Sequence, residues 1–354
     1  FEQVKQIIDP DGLFNPGKIV DPPRMDDRSL FRYGPEYLDG KRSTQLDWST
    51  WGGFSGAVEM CNNNGACRKR DAAVMCPSFR ATGDETHSTR GRANTLRLAL
   101  TGQLGPNAFT SSEMAESMSL CVGFKACKRE CPTGVDMARM KLELQASQTA
   151  AHGLNMGQRL VAYLPRYAPM IGGIGPLFNA VQKLPGAALC IESLTGFTRH
   201  RRLPRWRKSK YLNSITQAGP VDGQAVVVLL DTFSRWFEPE NGEALIDVLA
   251  AAGCRVHVAG ADDKRPLCCG RTFLAAGLID EARHEARRLL LALKPFIEQK
   301  IPLVGLEPAC ILTLRDEYDV LLPASETKGL ADMTFLLEEY LVKQSDALSI
   351  RLAP

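Results

Sequence analysis

Eleven cysteines stand among the 354 residues, and their spacing is uneven. Six fall in two runs, CNNNGACRKRDAAVMCP from Cys61 to Pro77 and CVGFKACKRECP from Cys121 to Pro132. Cys268 and Cys269 are adjacent, Cys310 follows at a distance, and Cys190 and Cys254 are isolated. Thiolates are soft metal ligands, and closely spaced cysteines on a turn let several sulfurs converge on one centre. Disulfide scaffolds are typical of small secreted domains, whereas clustered cysteines in a chain of this length suit metal ligation in a reducing compartment. Cys61, Cys67, Cys76, Cys121, Cys127 and Cys131 are therefore the expected metal ligands. Cys190 and Cys254 are expected in the core.

Both runs end in Cys-Pro, the closing signature of bacterial ferredoxin motifs, in which the last cysteine of one motif serves the cluster of the other. Applied here, Cys61 and Cys67 join Cys131, while Cys121 and Cys127 join Cys76. Asn64 and Phe124 stand where the second cysteine of each motif would be, and eight residues, Arg68 to Met75, precede Cys76. Each centre is left with three cysteine ligands. One [4Fe-4S] cluster, one or two [3Fe-4S] clusters, or a cluster with a non-cysteine ligand all satisfy this pattern. The alternative is structural zinc, which usually takes paired C-x2-C hooks; the sequence has none. Arg90 and Arg92 could balance a cluster's negative charge, and a solvated helix start explains them equally well. Of the five histidines, only His87 lies near the motifs.

The elements that must position these residues fall into two kinds. From about Ala57 to Ala151 the pattern is helical: Ser88 or Thr89 can cap a helix through Leu100, and Val135 to Ala150 carries apolar positions at helical spacing. After Lys210 the chain alternates strand and helix, with strands at Ala225–Asp231, Arg255–Ala259 and Pro302–Leu306. The expected helices there are Glu240–Ala252, Arg271–Gln299 and Leu330–Val342. Such alternation argues a parallel sheet. Cys268 and Cys269 follow its second strand and Cys310 its third, so the three are expected at one sheet edge, where such folds bind ligands. Core packing is the simpler reading of buried thiols.

Several strings resemble one group of flavoenzymes. DPDGLFNPGKI (Asp9 to Ile19) is similar to the closing motif of FAD-linked oxidases, the family that includes D-lactate and glycolate dehydrogenases. The resemblance implies an upstream FAD domain whose last turn holds Asn15 and Lys18. HSTRGRAN (His87 to Asn94) resembles the segment that follows the first cysteine motif in glycolate and lactate oxidase iron-sulfur subunits, and the span from Cys61 to Met140 resembles the fused FAD-binding and iron-sulfur-binding dehydrogenases related to D-2-hydroxyglutarate and D-lactate oxidation. The spacing around Phe124 also resembles the three-iron motif of succinate dehydrogenase iron-sulfur subunits. PLCCGR resembles the cysteine-rich domain of heterodisulfide reductase and glycolate oxidase iron-sulfur subunits. That fuller pattern has further cysteines where this chain offers Asp231 or Thr232 early and Thr313 late.

These readings assemble into one expectation of a mixed fold: an α-helical ferredoxin-like cluster region followed by an α/β cysteine-rich (CCG-type) domain. The expected segments are 1–20, the end of the FAD-linked oxidase domain; 21–56, a connector; 57–151, the cluster region; 152–222, a Gly/Pro-rich apolar segment and basic linker; and 223–354, the α/β domain. The resemblance implies the iron-sulfur electron-transfer portion of an FAD-dependent D-2-hydroxyacid dehydrogenase, passing electrons from reduced FAD to a quinone or cytochrome. This portion is expected to be inactive alone and to hold no catalytic acid or base. A separate electron-carrier subunit docking on a flavoprotein is the alternative. Phe1 is not Met, and the resemblance implies a second cysteine-rich half beyond Pro354, so truncation at both ends is expected.

A net charge of +3 offers no whole-chain field for nucleic acid. The segment Leu160–Phe178 is interrupted by Pro and Gly, too broken for a spanning helix. RHRRLPRWRKSK (Arg199 to Lys210) is a basic run that could meet anionic lipid or a redox partner, although a solvated linker accounts for it too. The expected location is cytoplasmic, with peripheral contact at the inner membrane face as an option.

Overall fold

The computed structural model describes residues 1–30, 42–71, 73–261 and 265–344. The three valines of QAVVV are β-branched and buried on both faces, and the run forms strand β2 (Gln224–Val228) at the centre of a five-stranded sheet. The others are β1 (Gln217–Ala218), β3 (Cys254–Val258), β4 (Leu303–Gly305) and β5 (Thr334–Leu336), in the order β1-β3-β2-β4-β5. All pairings are parallel except the β1 edge. Because side chains alternate across a strand, Val227 and Leu229 enter one core while Val226, Val228 and Leu230 enter another. The second core is closed by Leu245, Ile246 and Leu249 of helix Pro239–Ala251.

Two expected helices are divided. Leu330–Val342 is instead helix Leu330–Met333, strand β5 and helix Leu337–Lys343, because Thr334 and Phe335 pair with Leu303 and Val304. Helical periodicity in so short a segment yielded to an open sheet edge. Arg271–Gln299 breaks into Arg271–Ala275 and Ile279–Glu298 at Gly277. There φ is +77°, and a Cβ would stand 2.4 Å from the carbonyl oxygen of Gln145. The break lets helix Met137–His152 approach, and Thr149 Oγ1 donates to the carbonyl of Ala276 at 2.7 Å.

In the cysteine-rich region Ser88 caps helix Thr89–Leu100, its Oγ accepting from Gly91 N–H at 2.9 Å. Asp136 caps Met137–His152 through Arg139 N–H. One apolar core joins Val58, Leu96 and Met137 of this region to Phe273, Leu289 and Ile311 of the α/β region. The four short helices Met156–Ala162, Leu164–Gly173, Gly175–Val181 and Ala187–Thr195 follow, broken at the Pro and Gly positions. The last has no buried residue, so Cys190 is exposed, contrary to its expected core position. Helix Met156–Ala162 meets it at its C-terminal end, where a Cβ on Gly157 would stand 2.3 Å from the Thr195 carbonyl oxygen, and leaves Cys190 uncovered. Cys254 is buried, as expected.

One carboxylate takes three donors of segment 42–53. Glu143, 2% exposed, accepts from the N–H groups of Gln45 (2.7 Å) and Leu46 (3.1 Å) and from the Trp48 indole (3.2 Å). Arg139 lies over the rings of Trp48 and Trp51, 5.6 and 5.0 Å from their centroids. Glu143→Ala would leave three donors without an acceptor, a loss of about 3 kcal/mol. Limited proteolysis should then cut within residues 42–53 faster than in the wild type, with Glu143→Gln intermediate. Equal cutting of all three proteins would disprove this anchor.

Candidate metal centres

Cys61 and Cys67 flank a turn on which Asn62 and Asn64 side chains accept from backbone N–H groups. Arg97 Nη2 donates to the Cys61 carbonyl at 3.0 Å, and Arg90 sits beside both thiols while bound to Glu85 at 2.7 Å. From the same turn Asn64 helps to lower the pKa of the Cys131 thiol.

The opposite crossing is held by Glu130, whose carboxylate accepts from Val74 N–H (3.1 Å) and Met75 N–H (2.8 Å). This clamp lays the long first-motif loop against helix Ala126–Glu130 and delivers Cys76. Cys76, Cys121 and Cys127 line one small cavity, and Phe124 lines it with them. Cys76 (φ +57°) and Lys125 (φ +66°) both hold left-handed backbone, which costs a residue with a Cβ roughly 1–2 kcal/mol. Around the cavity, Thr89 Oγ1 (3.7 Å) and Arg92 Nη1 (4.0 Å) face the Cys76 sulfur. Arg92 is 1% exposed and also donates to the Ser117 carbonyl and Ser78 Oγ. Lys141 donates to the Cys121 carbonyl, and burial lowers its pKa.

All eleven cysteines are free thiols. Burial pushes Cys127 up to about 11 and raises Cys67. Burial acts upward on Cys131 as well, but donors from Thr133, Val135 and Asn64 outweigh it and bring its pKa down. The donor set fits an anionic cluster: thiols only, ringed by amide, hydroxyl and cationic donors. A single zinc ion needs its sulfurs about 2.3 Å from one point. Among the described residues no three Cys, His, Asp or Glu side chains are grouped to hold one ion.

The second cysteine site lies where the fold changes direction. From β2 the chain goes to β3 on one side and then crosses to β4 on the other, and a cleft opens at such a switch beyond the strand ends. Cys268, Cys269 and Cys310 do converge there, lining a cavity of about 560 Å³ with Asp231, Thr232 and Glu307. Thr313 is absent from that lining; its Oγ1 donates to the Ala309 carbonyl at 2.6 Å. Gly270 N–H donates to Cys268 Sγ at 3.3 Å, and a Cβ on Gly270 would meet the Ala282 carbonyl at 2.9 Å. Contact with Cys269 and burial hold Cys268 well above the ordinary thiol range. The Cys268 bond pulls Cys269 down, yet its contact with Cys310 and burial leave it well raised. Such thiols are protonated and weakly nucleophilic until a metal displaces their protons.

A buried carboxylate joins the two sites. Glu317 accepts from Lys125 Nζ (2.8 Å), in the second cysteine motif, and from Arg271 Nη1 (2.9 Å), just past Cys269 and Gly270. Tyr318 OH donates to the Cys269 carbonyl at 3.0 Å. Glu130, Glu317, Lys125, Lys141 and Arg271 escaped sequence reading because charged residues beside cysteines look like any solvated charge; only the Cys neighbourhood of Glu130 and Lys125 hinted at them. Asn15 and Lys18 lie apart from both sites, in a shallow concavity shared with Phe1, Ile8 and Phe14.

Residues 57–135 match the family model described as a 4Fe-4S dicluster domain. A D-2-hydroxyglutarate dehydrogenase of Pseudomonas putida is 25% identical over 360 residues, covering 90% of this chain and 35% of the relative. One subunit of the anaerobic glycerol-3-phosphate dehydrogenase of Escherichia coli is 26% identical over 175 residues, 48% of this chain and 43% of its own. A probable glycolate oxidase iron-sulfur subunit of Bacillus subtilis is 27% identical over 241 residues, 61% and 51% of the two chains. No solved structure matches. The chain spans about a third of the length of the D-2-hydroxyglutarate dehydrogenases it matches. The resemblance carried by the two cysteine motifs is thus met by the relatives themselves: this chain is a mixed, helix-rich protein with a 4Fe-4S dicluster domain, akin to D-2-hydroxyglutarate dehydrogenases and to iron-sulfur subunits of related oxidoreductases.

Proposed function

We propose that this chain is the iron-sulfur electron-transfer portion of an FAD-dependent D-2-hydroxyacid dehydrogenase of the D-2-hydroxyglutarate, D-lactate or glycolate type. The observation that carries it is the shared cavity of Cys76 with Cys121 and Cys127, a first-motif thiol delivered to the second motif. Cys61, Cys67 and Cys131 would hold one cluster and Cys76, Cys121 and Cys127 the other. When bound, such clusters take up the two electrons of a reduced flavin one at a time and release them singly to an acceptor such as quinone or cytochrome. The residues around them do the tuning. Arg92 and Lys141 place positive charge beside the second centre, and the Glu130 clamp holds its loop in register.

Cys268, Cys269 and Cys310 are proposed as a further thiol ligand site, with Glu317 fixing its distance from the second centre. Residues 1–20, including Asn15 and Lys18, are proposed as the end of an adjoining FAD domain. Val4, Ile7, Ile8 and Phe14 are exposed there and would be covered by that domain. Hydride abstraction belongs to the flavin, so no residue here is assigned as acid or base.

The anaerobically purified protein should contain iron and acid-labile sulfide. Cys76→Ser and Cys121→Ser should each remove the same cluster signal in electron paramagnetic resonance, and the double variant should lose no more than either alone. Cys190→Ser should retain full iron content. Stoichiometric zinc without sulfide, or additive losses from Cys76 and Cys121, would refute the crossed arrangement.

Phe124 lines the second centre where a fourth thiolate would bind, and an aromatic ring cannot donate to iron. After exposure to air the protein should show the signal of an oxidised three-iron cluster, and Phe124→Cys should convert it to an air-resistant four-iron cluster. Unchanged iron content and spectrum in Phe124→Cys would mean that Phe124 only packs beside the centre.

A further inference from the structure

We propose that the chain carries a docking surface for anionic phospholipid membranes, built from helices Gly175–Val181 and Ala187–Thr195 and the basic segment from Arg199 to Lys210. Ile174, Leu177, Val181 and Leu184 recur at helical spacing, and such a stripe ordinarily faces a core. Here it faces outward, with exposures of 54%, 64%, 43% and 60%. The opposite side of the helix is the one that packs. A Cβ on Gly175 would lie 2.6 Å from Trp206 Cβ. Asn179 donates to the Trp206 carbonyl at 2.7 Å and accepts from its N–H at 2.9 Å. That two-way anchor fixes the apolar stripe outward and the basic segment beside it. The neighbouring helix Ala187–Thr195 adds Leu189 and Leu194, 53% and 75% exposed.

The charge next to the stripe chooses the occupant. Residues 199–210 hold seven cations and no acid, in a chain whose net charge is only +3. Lys183, Arg199, Arg201, Arg202 and Arg205 line one concavity of about 480 Å³ that no acidic residue enters. Arg199 is tied to Glu192, and among the described residues no carboxylate pairs with the other four. Apolar side chains flanked by unpaired cations are what an anionic lipid surface binds: chains enter the acyl boundary and headgroup phosphates meet the arginines. A second copy of the chain would set this cationic patch against its own kind across a two-fold axis. No helix among the described residues is long and apolar enough to cross a membrane, so contact lies in the interface plane.

The test needs neither cluster nor flavin activity. The intact protein is floated with vesicles of phosphatidylcholine alone and of phosphatidylcholine and phosphatidylglycerol in equal parts. It should float only with the anionic vesicles, and added salt should release it. Each surface cation contributes about fivefold, so Arg201→Ala with Arg202→Ala should weaken binding about 25-fold. Leu177→Ser with Leu184→Ser should also weaken it while leaving the circular dichroism spectrum unchanged, since both side chains are already exposed. Equal binding to both vesicles, no binding to either, or variants that bind like the wild type would overturn the proposal. So would a dimer in lipid-free solution that the leucine variant dissociates, because the surface would then belong to a second copy.

Discussion

Sulfurs from two loops some fifty residues apart can face one centre only if backbone with little regular structure is held against its own entropy. Each ordered residue costs roughly 1–2 kcal/mol of backbone freedom. In this protein carboxylates do the holding. Glu130 takes two backbone N–H groups of the first-motif loop, Glu143 takes three donors of the connector, and Glu317 binds cations from both cysteine sites. Glu285, fully buried, does the same for the helices beyond, receiving Arg166 and Arg265. A buried carboxylate is costly unless every neighbouring donor is aimed at it, so each fixes geometry as well as adding stability.

The sheet contributes differently. Its central strand is apolar on both faces, which forces helices onto both sides and leaves the strand ends as open ground. One face is shared with the cluster region, so Cys269, Cys310, Cys76 and Cys127 belong to a single continuous apolar core. Burial in that core raises the Cys127 thiol, and its low polarity would strengthen any charge compensation supplied by Arg92, Lys141 or Arg271.

Charge is distributed with the same economy. Beside the cysteine sites Arg92 is buried and Arg90, Lys125 and Arg271 are bound to carboxylates, while the cations on residues 199–210 are exposed and, among the described residues, mostly without acidic partners. The first set can act on a centre inside the protein. The second can act only on something outside it.

The residues themselves determined the metal-binding reading, because cysteine spacing and Cys-Pro endings are local properties of the chain, and the kinship they imply is met by the relatives. A helix cap at Ser88 or Thr89 and a parallel sheet were also legible, since caps and β-branched runs act over a few residues. What tertiary structure alone decided was which groups meet across long separations: Glu130 with the loop before Cys76, Glu317 with Lys125 and Arg271. It also decided the division of the last helix by β5, where pairing with β4 overrode local periodicity, and the outward position of Cys190, on a helix none of whose residues is buried. Local pattern sets what a segment can form, but burial and partner choice depend on chain closure over tens to hundreds of residues, which no local window contains.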